Sequence, residues 1–435
     1  LVSASEERDL NELARENIGR LILVVTATLM LQLGFRLWMV LPPGELTPIV
    51  VTIYAFGTGV ALLIAAIVDL DLDRWGYYVA GWVAFVILVA GIMVVWLSSA
   101  FYGTDALLFS RYSVDLLFAG RNPFAESMAP AAAIYDQPGV HITPLIDGTG
   151  VDSFSYPAGA LLAFVPQAAT GLGGEALGAT LLIATFAVMA YLIVESPAFV
   201  ALIPFIIMSG GRHLILAAPS GLLDGLWVLP LLVAMRYWHA ERLGASGFAY
   251  GLAAGTKQQV WPIAPFLVIW LWARADDVDE AVESIRRLVV WSVAGFLTLN
   301  LPFIVWDPVA WFYSVLTPLV LPMMHQGVGL SLLSAAGVYG LPSTFHSVLL
   351  VVGGLVALGL YALYWDRGPW VAWIVPPALL LWSHRSLNSY FVWFLPIAYY
   401  AALCQWDLRR PSWPRPTFST LRQWIAEEVG HAETA

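Results

Sequence analysis

Long apolar runs separated by short polar joints dominate the chain. A helix needs about 20 apolar residues to cross a bilayer. Runs of that kind occupy 21–41, 47–68, 76–99, 176–194, 220–238, 287–305, 344–364 and 389–405. Shorter ones lie at 156–171, 197–209, 246–255, 260–273, 308–321 and 369–382, too short to cross upright and suited to tilted, re-entrant or half-helical segments. The pattern predicts an all-α polytopic bundle of about 10–13 membrane helices, short and re-entrant ones included, with amphipathic helices on its outer surface. No internal repeat or low-complexity linker divides it, so 1–435 reads as one membrane domain with a tail at 406–435, in which 417–430 is expected to form a surface helix.

Composition agrees with the pattern. Hydrophobic residues make up 60% of the 435 positions and charged ones 11%, where a soluble domain carries about a quarter. Residues 1–20 are polar, and the apolar run from Leu21 is too long for a signal-peptide core, so a retained first span is expected. The net charge of −10 argues against a nucleic-acid partner. The single Cys404 excludes a disulfide within the chain.

Cations tend to stay on the cytoplasmic side. With the N-terminus inside, 14 of the 20 cations fall there, including Arg74, Arg236, Arg274 and the tail arginines, and 100–155 lies outside. Both termini are then cytoplasmic. An odd number of crossings is needed between Tyr156 and Arg236, so 197–218, broken by Pro204 and Gly210-Gly211, is expected not to cross. The six cations left unexplained are Arg36, Arg111, Arg121, Arg212, Lys257 and Arg385.

The outer segment 100–155 is long for a loop, and long loops are usually functional or disordered. Its composition is not that of a disordered chain. Within it, Asp105, Phe109, Tyr112 and Leu116 share one face of a helix over 104–119 that Gly120 ends. Arg111 and Asp115 are placed to pair. An Asp in a first helical turn can simply complement the macrodipole.

The order of motifs points further. Asp105 is followed by Gly120-Arg121-Asn122-Pro123-Phe124, then Phe154-Ser155-Tyr156-Pro157, then Gly251-Leu252-Ala253-Ala254-Gly255-Thr256-Lys257, then Asn300-Leu301-Pro302-Phe303 with Asp307-Pro308. Over roughly 95–400 the chain resembles the glycosyltransferases of the GT-C fold that use polyprenyl-phosphate sugars, glycosyltransferase family 87 and its mannosyltransferase relatives above all. It departs from them in having Tyr156-Pro157-Ala158 where relatives often have two prolines, and Lys257-Gln258-Gln259 where they often have a proline after the lysine. The resemblance implies a membrane enzyme moving a mannose-like hexose or pentose from a polyprenyl or dolichyl phosphate to a glycan, lipid or protein acceptor on the outer face of the plasma membrane, with inversion. The alternatives are a secondary transporter, a ligase or polymerase using a lipid-diphosphate donor, and a scaffold without activity.

Such a reaction needs no general acid, because its leaving group is a stabilised phosphate. One carboxylate must take the acceptor's proton, and Asp105 is the candidate. Cations must hold the phosphate. Lys257, in a Gly-rich break, and Arg212-His213 are the candidates, each weighed against a snorkelling or polar-loop role. Arg111, Tyr112, Asn122, Tyr156, His325, His384 and Arg385 are candidates for binding substrate. The Asp69–Asp73 stretch and the acidic cluster at 276–280 read as solvated turns, the histidines lack ligand spacing, and no cofactor or metal is expected.

The orientation is tested by labelling single cysteines on intact cells after removal of Cys404. Labels at 100–155 and protection at 409–435 are expected; labelling of the tail would reverse the topology.

Overall fold

The computed structural model describes residues 4–40, 46–97, 103–171, 175–210, 221 and 223–408. It is mostly helical, and six of its helices are long and apolar enough to cross a membrane. Their spans are Glu16–Met39, Ile49–Ile67, Leu72–Val95, Leu177–Glu195, Val278–Trp306 and Ser343–Arg367. Their faces are built for lipid: only 6% of the apolar window of Ser343–Arg367 is buried in the protein, and 22% of that of Val278–Trp306.

Two segments expected to span are shorter. Run 220–238 becomes the helix Gly225–His239, which follows Asp224 and contains Pro230, and 389–405 divides into Asn388–Val392 and Leu395–Gln405, the second with Pro396 in its first turn. Proline lacks the N–H that would continue the helix through this point. Around them lie half-length helices: Ile203–Gly210, Leu243–Ala254, Ile263–Arg274 and Val375–Leu380. Arg212, His213, and the tail from 409 with its expected helix lie outside the described residues.

The expected solvated turns have local work to do. Asp69 takes a left-handed φ of 61° and pairs with Arg20 at 2.7 Å, while Asp71 accepts from the Asp73 amide. In the second acidic cluster, Asp277 accepts from the Glu280 amide and the Glu280 carboxylate from the Asp276 amide, capping Val278–Trp306. Arg236, assigned to an inner loop, is instead half-buried and bonds both oxygens of Glu195 at 2.7 Å.

Two apolar cores result. The larger joins the spanning helices, and the smaller gathers the Asp105–Phe118 helix with residues from 154–165 and 303–315. That helix is therefore buried nearly all round, not laid on a membrane surface with one wet face: Leu107, Leu108, Phe109, Ser110, Tyr112, Ser113, Val114 and Leu116 are all buried.

One helix contact is unusually close. Gly247, Gly251 and Gly255 recur every fourth residue, and Gly251 lies so near Val278–Trp306 that a Cβ there would sit 2.1 Å from the Ser292 carbonyl oxygen. Gly295 answers from the other side, where a Cβ would meet the Phe248 oxygen at 2.1 Å. Lipid gives no hydrophobic drive between helices, so small residues that let backbones meet supply the packing.

Gly251→Leu must push these helices apart, at a cost of about 1–3 kcal/mol or more. A lower thermal midpoint of the purified protein is expected, whereas Gly81→Ala, where nothing lies within 4 Å, should leave it unchanged.

Candidate functional site

The close helix contact sets the position of the break that follows it. After Ala254 the helix stops, and Gly255–Pro262 turns with its polar backbone satisfied from several directions. Asn300 donates to the Gly255 oxygen at 3.1 Å and accepts from the Ala158 amide at 2.8 Å, and the Gly159 amide also bonds the Gly255 oxygen at 3.0 Å. Trp261 donates to the Ala254 oxygen and Tyr250 to the Val260 oxygen. Gln258 reaches the carbonyls of Ser155 and Val315 at 2.7 and 2.8 Å. Irregular backbone at membrane depth survives only when satisfied in this way. The motifs read separately from the sequence at 154–157, 251–257 and 300–303 thus meet, with Ala158, at one node.

The node aims Lys257 into the protein. Its ammonium is 2.9 Å from Asp224, and the two side chains are 8% and 3% exposed. Asp224 Oδ1 also accepts from Trp227 Nε1 at 3.2 Å. The rings of Tyr156 and Tyr390 flank the ammonium, their centroids 5.3 and 5.5 Å away. Lys257 thus lines a cavity inside the protein, and Asp224 neutralises its charge.

This pair lines a cavity of about 560 Å³. One end is polar: Asp105, Thr143, Tyr156, Asp224, Lys257, Ser383, His384 and Arg385. Asp105 is half-exposed there, with Oδ2 accepting from the Thr143 amide at 2.8 Å. Burial first, then the Asp105 carboxylate, holds the Tyr156 phenol well above its usual pKa; Tyr390 and Asp224 push the same way and Arg385 opposes. Tyr156 is thus a neutral hydroxyl among the charged groups. The other end is apolar, formed by Phe266, Leu379 and the Ser343–Tyr364 helix through Leu350, Val351, Leu355 and Leu358. Val351 and Leu355 are 62% and 64% exposed on the protein surface, so the apolar end opens where lipid would lie.

The segment 100–155 is tied down beside the polar end, where Met323 also lines the cavity. Its turn at 144–150 docks on 322–324 through the Ile146 amide to the Pro322 oxygen and the Met324 amide to the Pro144 oxygen, at 2.9 and 3.0 Å. Beneath it, Gln326–Gly327 pairs in parallel with Arg385–Ser386. Burial, then the neighbouring Arg385, His325 and His346, pushes His384 down to about 4. Burial and His346 likewise lower His325.

Of the candidates from sequence, Asp105, Lys257, Tyr156, His384 and Arg385 share the cavity. His325 stands behind it, its ring 5.1 Å from that of His346. Arg111, Tyr112 and Asn122 are not among the cavity's walls. Arg111 stacks over the Tyr135 ring, whose hydroxyl donates to Asp115, so Tyr135 joins the two residues expected to pair. Asn122 accepts from the Phe124 amide and shapes a turn, and Arg121 pairs with Glu126. Sequence reasoning missed Asp224. A carboxylate inside the apolar run 220–238 was its signal.

In comparison with known proteins, the chain matches no family model, no curated protein and no solved structure.

Removing one member of a buried ion pair strands the other, which typically costs about 3–5 kcal/mol. Lys257→Met and Asp224→Leu are each expected to lower the thermal midpoint more than the double variant does. Equal or additive losses would mean that the two charges are not coupled.

Proposed function

We propose that the protein is a membrane glycosyltransferase taking its sugar from a polyprenyl phosphate. The supporting observation is the two-ended cavity: a charged end holding Asp105 continues into an apolar wall that opens onto the lipid-facing surface at Val351 and Leu355. A donor of this class has the same division, with a sugar phosphate on a hydrocarbon chain. The chain would remain in the bilayer along Ser343–Tyr364 while the head enters the polar end.

Asp105 is the proposed general base. The acceptor hydroxyl oxygen attacks the anomeric carbon, its proton passes to Asp105, and the bond from that carbon to the phosphate oxygen breaks with its electron pair leaving on the lipid phosphate. Attack opposite the leaving group inverts the anomeric centre, and one carboxylate suffices. Thr143, whose amide bonds Oδ2, fixes the carboxylate and leaves Oδ1 for the acceptor. The motif order read from the sequence supports the same chemistry, and the excess of cations expected on the cytoplasmic side supports an outer-face site. A secondary transporter remains the competing reading, favoured by one observation: a buried acid–base pair set on two helix breaks.

Sugar transfer in membranes from a polyprenyl-phosphate donor separates these. Asp105→Asn preserves shape but cannot accept the proton, and a loss of about 100- to 10,000-fold in turnover is expected. Asp115→Asn, on the outer turn of the same helix and bonded to Tyr135, should cost far less. Full activity in Asp105→Asn would remove it as the base; no transfer by the wild type from any such donor would count against the glycosyltransferase itself.

A further inference from the structure

Among the described residues, four formally charged side chains line the cavity: Asp105, Asp224, Lys257 and Arg385. Lys257 and Asp224 are spent on each other. Arg385 is different. Among the described residues no carboxylate lies within 4.0 Å of it. Its recorded side-chain hydrogen bond goes to the Met323 sulfur at 3.2 Å, a weak acceptor, and its buried Nε has no partner. Beside it His384 is 9% exposed, and its Nε2 is likewise buried without a partner. Buried polar groups are normally satisfied, and these two unpartnered nitrogens belong to neighbouring residues that line the cavity.

The backbone that carries these donors is built to stay put. The Gln326 amide bonds the His384 oxygen at 3.1 Å, the Val328 amide the Ser386 oxygen at 2.9 Å and the Leu330 amide the Leu381 oxygen at 2.9 Å. Ser386 Oγ, fully buried, accepts from the Gly329 amide and bonds Ser331 Oγ, both at 2.8 Å. Gly327, at φ 134°, lies so close that a Cβ would meet the Ser386 oxygen at 2.3 Å. A rigid ledge presenting unsatisfied donors is what an anion site requires.

We propose that Arg385 and His384, not Lys257, form the subsite for the phosphate of the lipid-linked ligand, and that this subsite takes a singly charged phosphodiester in preference to a diphosphate. The assignment rests on the reading of the cavity as a lipid-donor site. Its charge argument is separate. With Lys257 neutralised and His384 held uncharged at neutral pH, Arg385 supplies one positive charge, and Asp105 stands in the same cavity as an anion. A phosphodiester brings one negative charge beside Arg385 while Asp105 is already another; a diphosphate adds further charge that no described cation of the cavity meets, which is costly at low dielectric. His384, as a neutral ring, donates Nε2–H to a phosphate oxygen and adds no charge.

The test is binding by the purified full-length protein in nanodiscs at pH 7, with four probes: farnesyl methyl phosphate, farnesyl diphosphate, farnesol and dimethyl phosphate. Farnesyl methyl phosphate should bind most tightly. Arg385→Gln should weaken it about 10- to 100-fold, the loss expected for a charge-assisted bond. Arg385→Lys should recover part of that, and His384→Phe, which keeps the ring volume, should weaken it by a smaller factor. Arg121→Gln on the outer segment is the unaffected control. The double Lys257→Met, Asp224→Leu should lose less than Arg385→Gln. If Arg385→Gln fails to fold, His384→Phe and the order of the probes decide the matter. Unchanged binding in the folded Arg385 and His384 variants, a larger loss in the Lys257 double variant, farnesol binding as well as the phosphodiester, or tighter binding of the diphosphate would each overturn the assignment. Dimethyl phosphate binding that depends on Arg385 while farnesyl methyl phosphate does not bind would keep the anion site and remove the lipid donor.

Discussion

The buried pair of Lys257 and Asp224 is the constraint on which the site turns. An ammonium and a carboxylate at these exposures tolerate each other only at bonding distance, because neither has water to fall back on. Each stands at a point where a helix is interrupted: Asp224 precedes Gly225–His239, and Lys257 precedes the short turn Gln258–Val260. Two interruptions from different parts of the chain must therefore arrive at one place. The glycine contact between Leu243–Ala254 and Val278–Trp306 brings one of them there, and Asn300 locks it to Ala158 and so to Tyr156. Moving any of these parts would separate charges that cannot be left apart.

Once the pair is closed, the rest of the cavity follows from what remains uncompensated. Asp105 keeps a half-exposed carboxylate facing the space, Arg385 keeps a guanidinium without an acid, and Tyr156 stays a neutral hydroxyl between them. A carboxylate, a cation and a hydrogen-bonding ring at one end of an apolar trough suit a ligand that belongs half to water and half to lipid. The turn at 144–150, docked on 322–324, holds the segment that carries Thr143 and hence the carboxylate of Asp105.

Much of this was legible in the chain. Length and hydropathy alone placed six of the eight long spans, and the helix opening at Asp105 starts and ends close to where Asp105 and Gly120 put it. Lys257 was picked out as an intramembrane charge and does face the cavity. What local pattern cannot carry is pairing at a distance. Asp224 lies 33 residues from Lys257, and only the folded chain shows that they cancel. The Asp105–Phe118 helix reads as amphipathic because its period is clear, yet most of it is buried, in a core that also takes residues from 154–165 and 303–315. Arg111, Tyr112 and Asn122 looked like binding residues by their place in a motif, and their contacts are with Tyr135 and the Phe124 amide.

The central claim is that one lipid-linked ligand occupies both ends of this cavity. It is tested most directly by a cryo-electron microscopy map of the protein in nanodiscs with a non-transferable polyprenyl phosphosugar. The account predicts phosphate density beside Arg385, the sugar toward Asp105, the hydrocarbon chain leaving past Val351 and Leu355, and the Lys257–Asp224 bond intact. A saturated sample with this cavity empty, or with the phosphate on Lys257 and the ion pair broken, would contradict it.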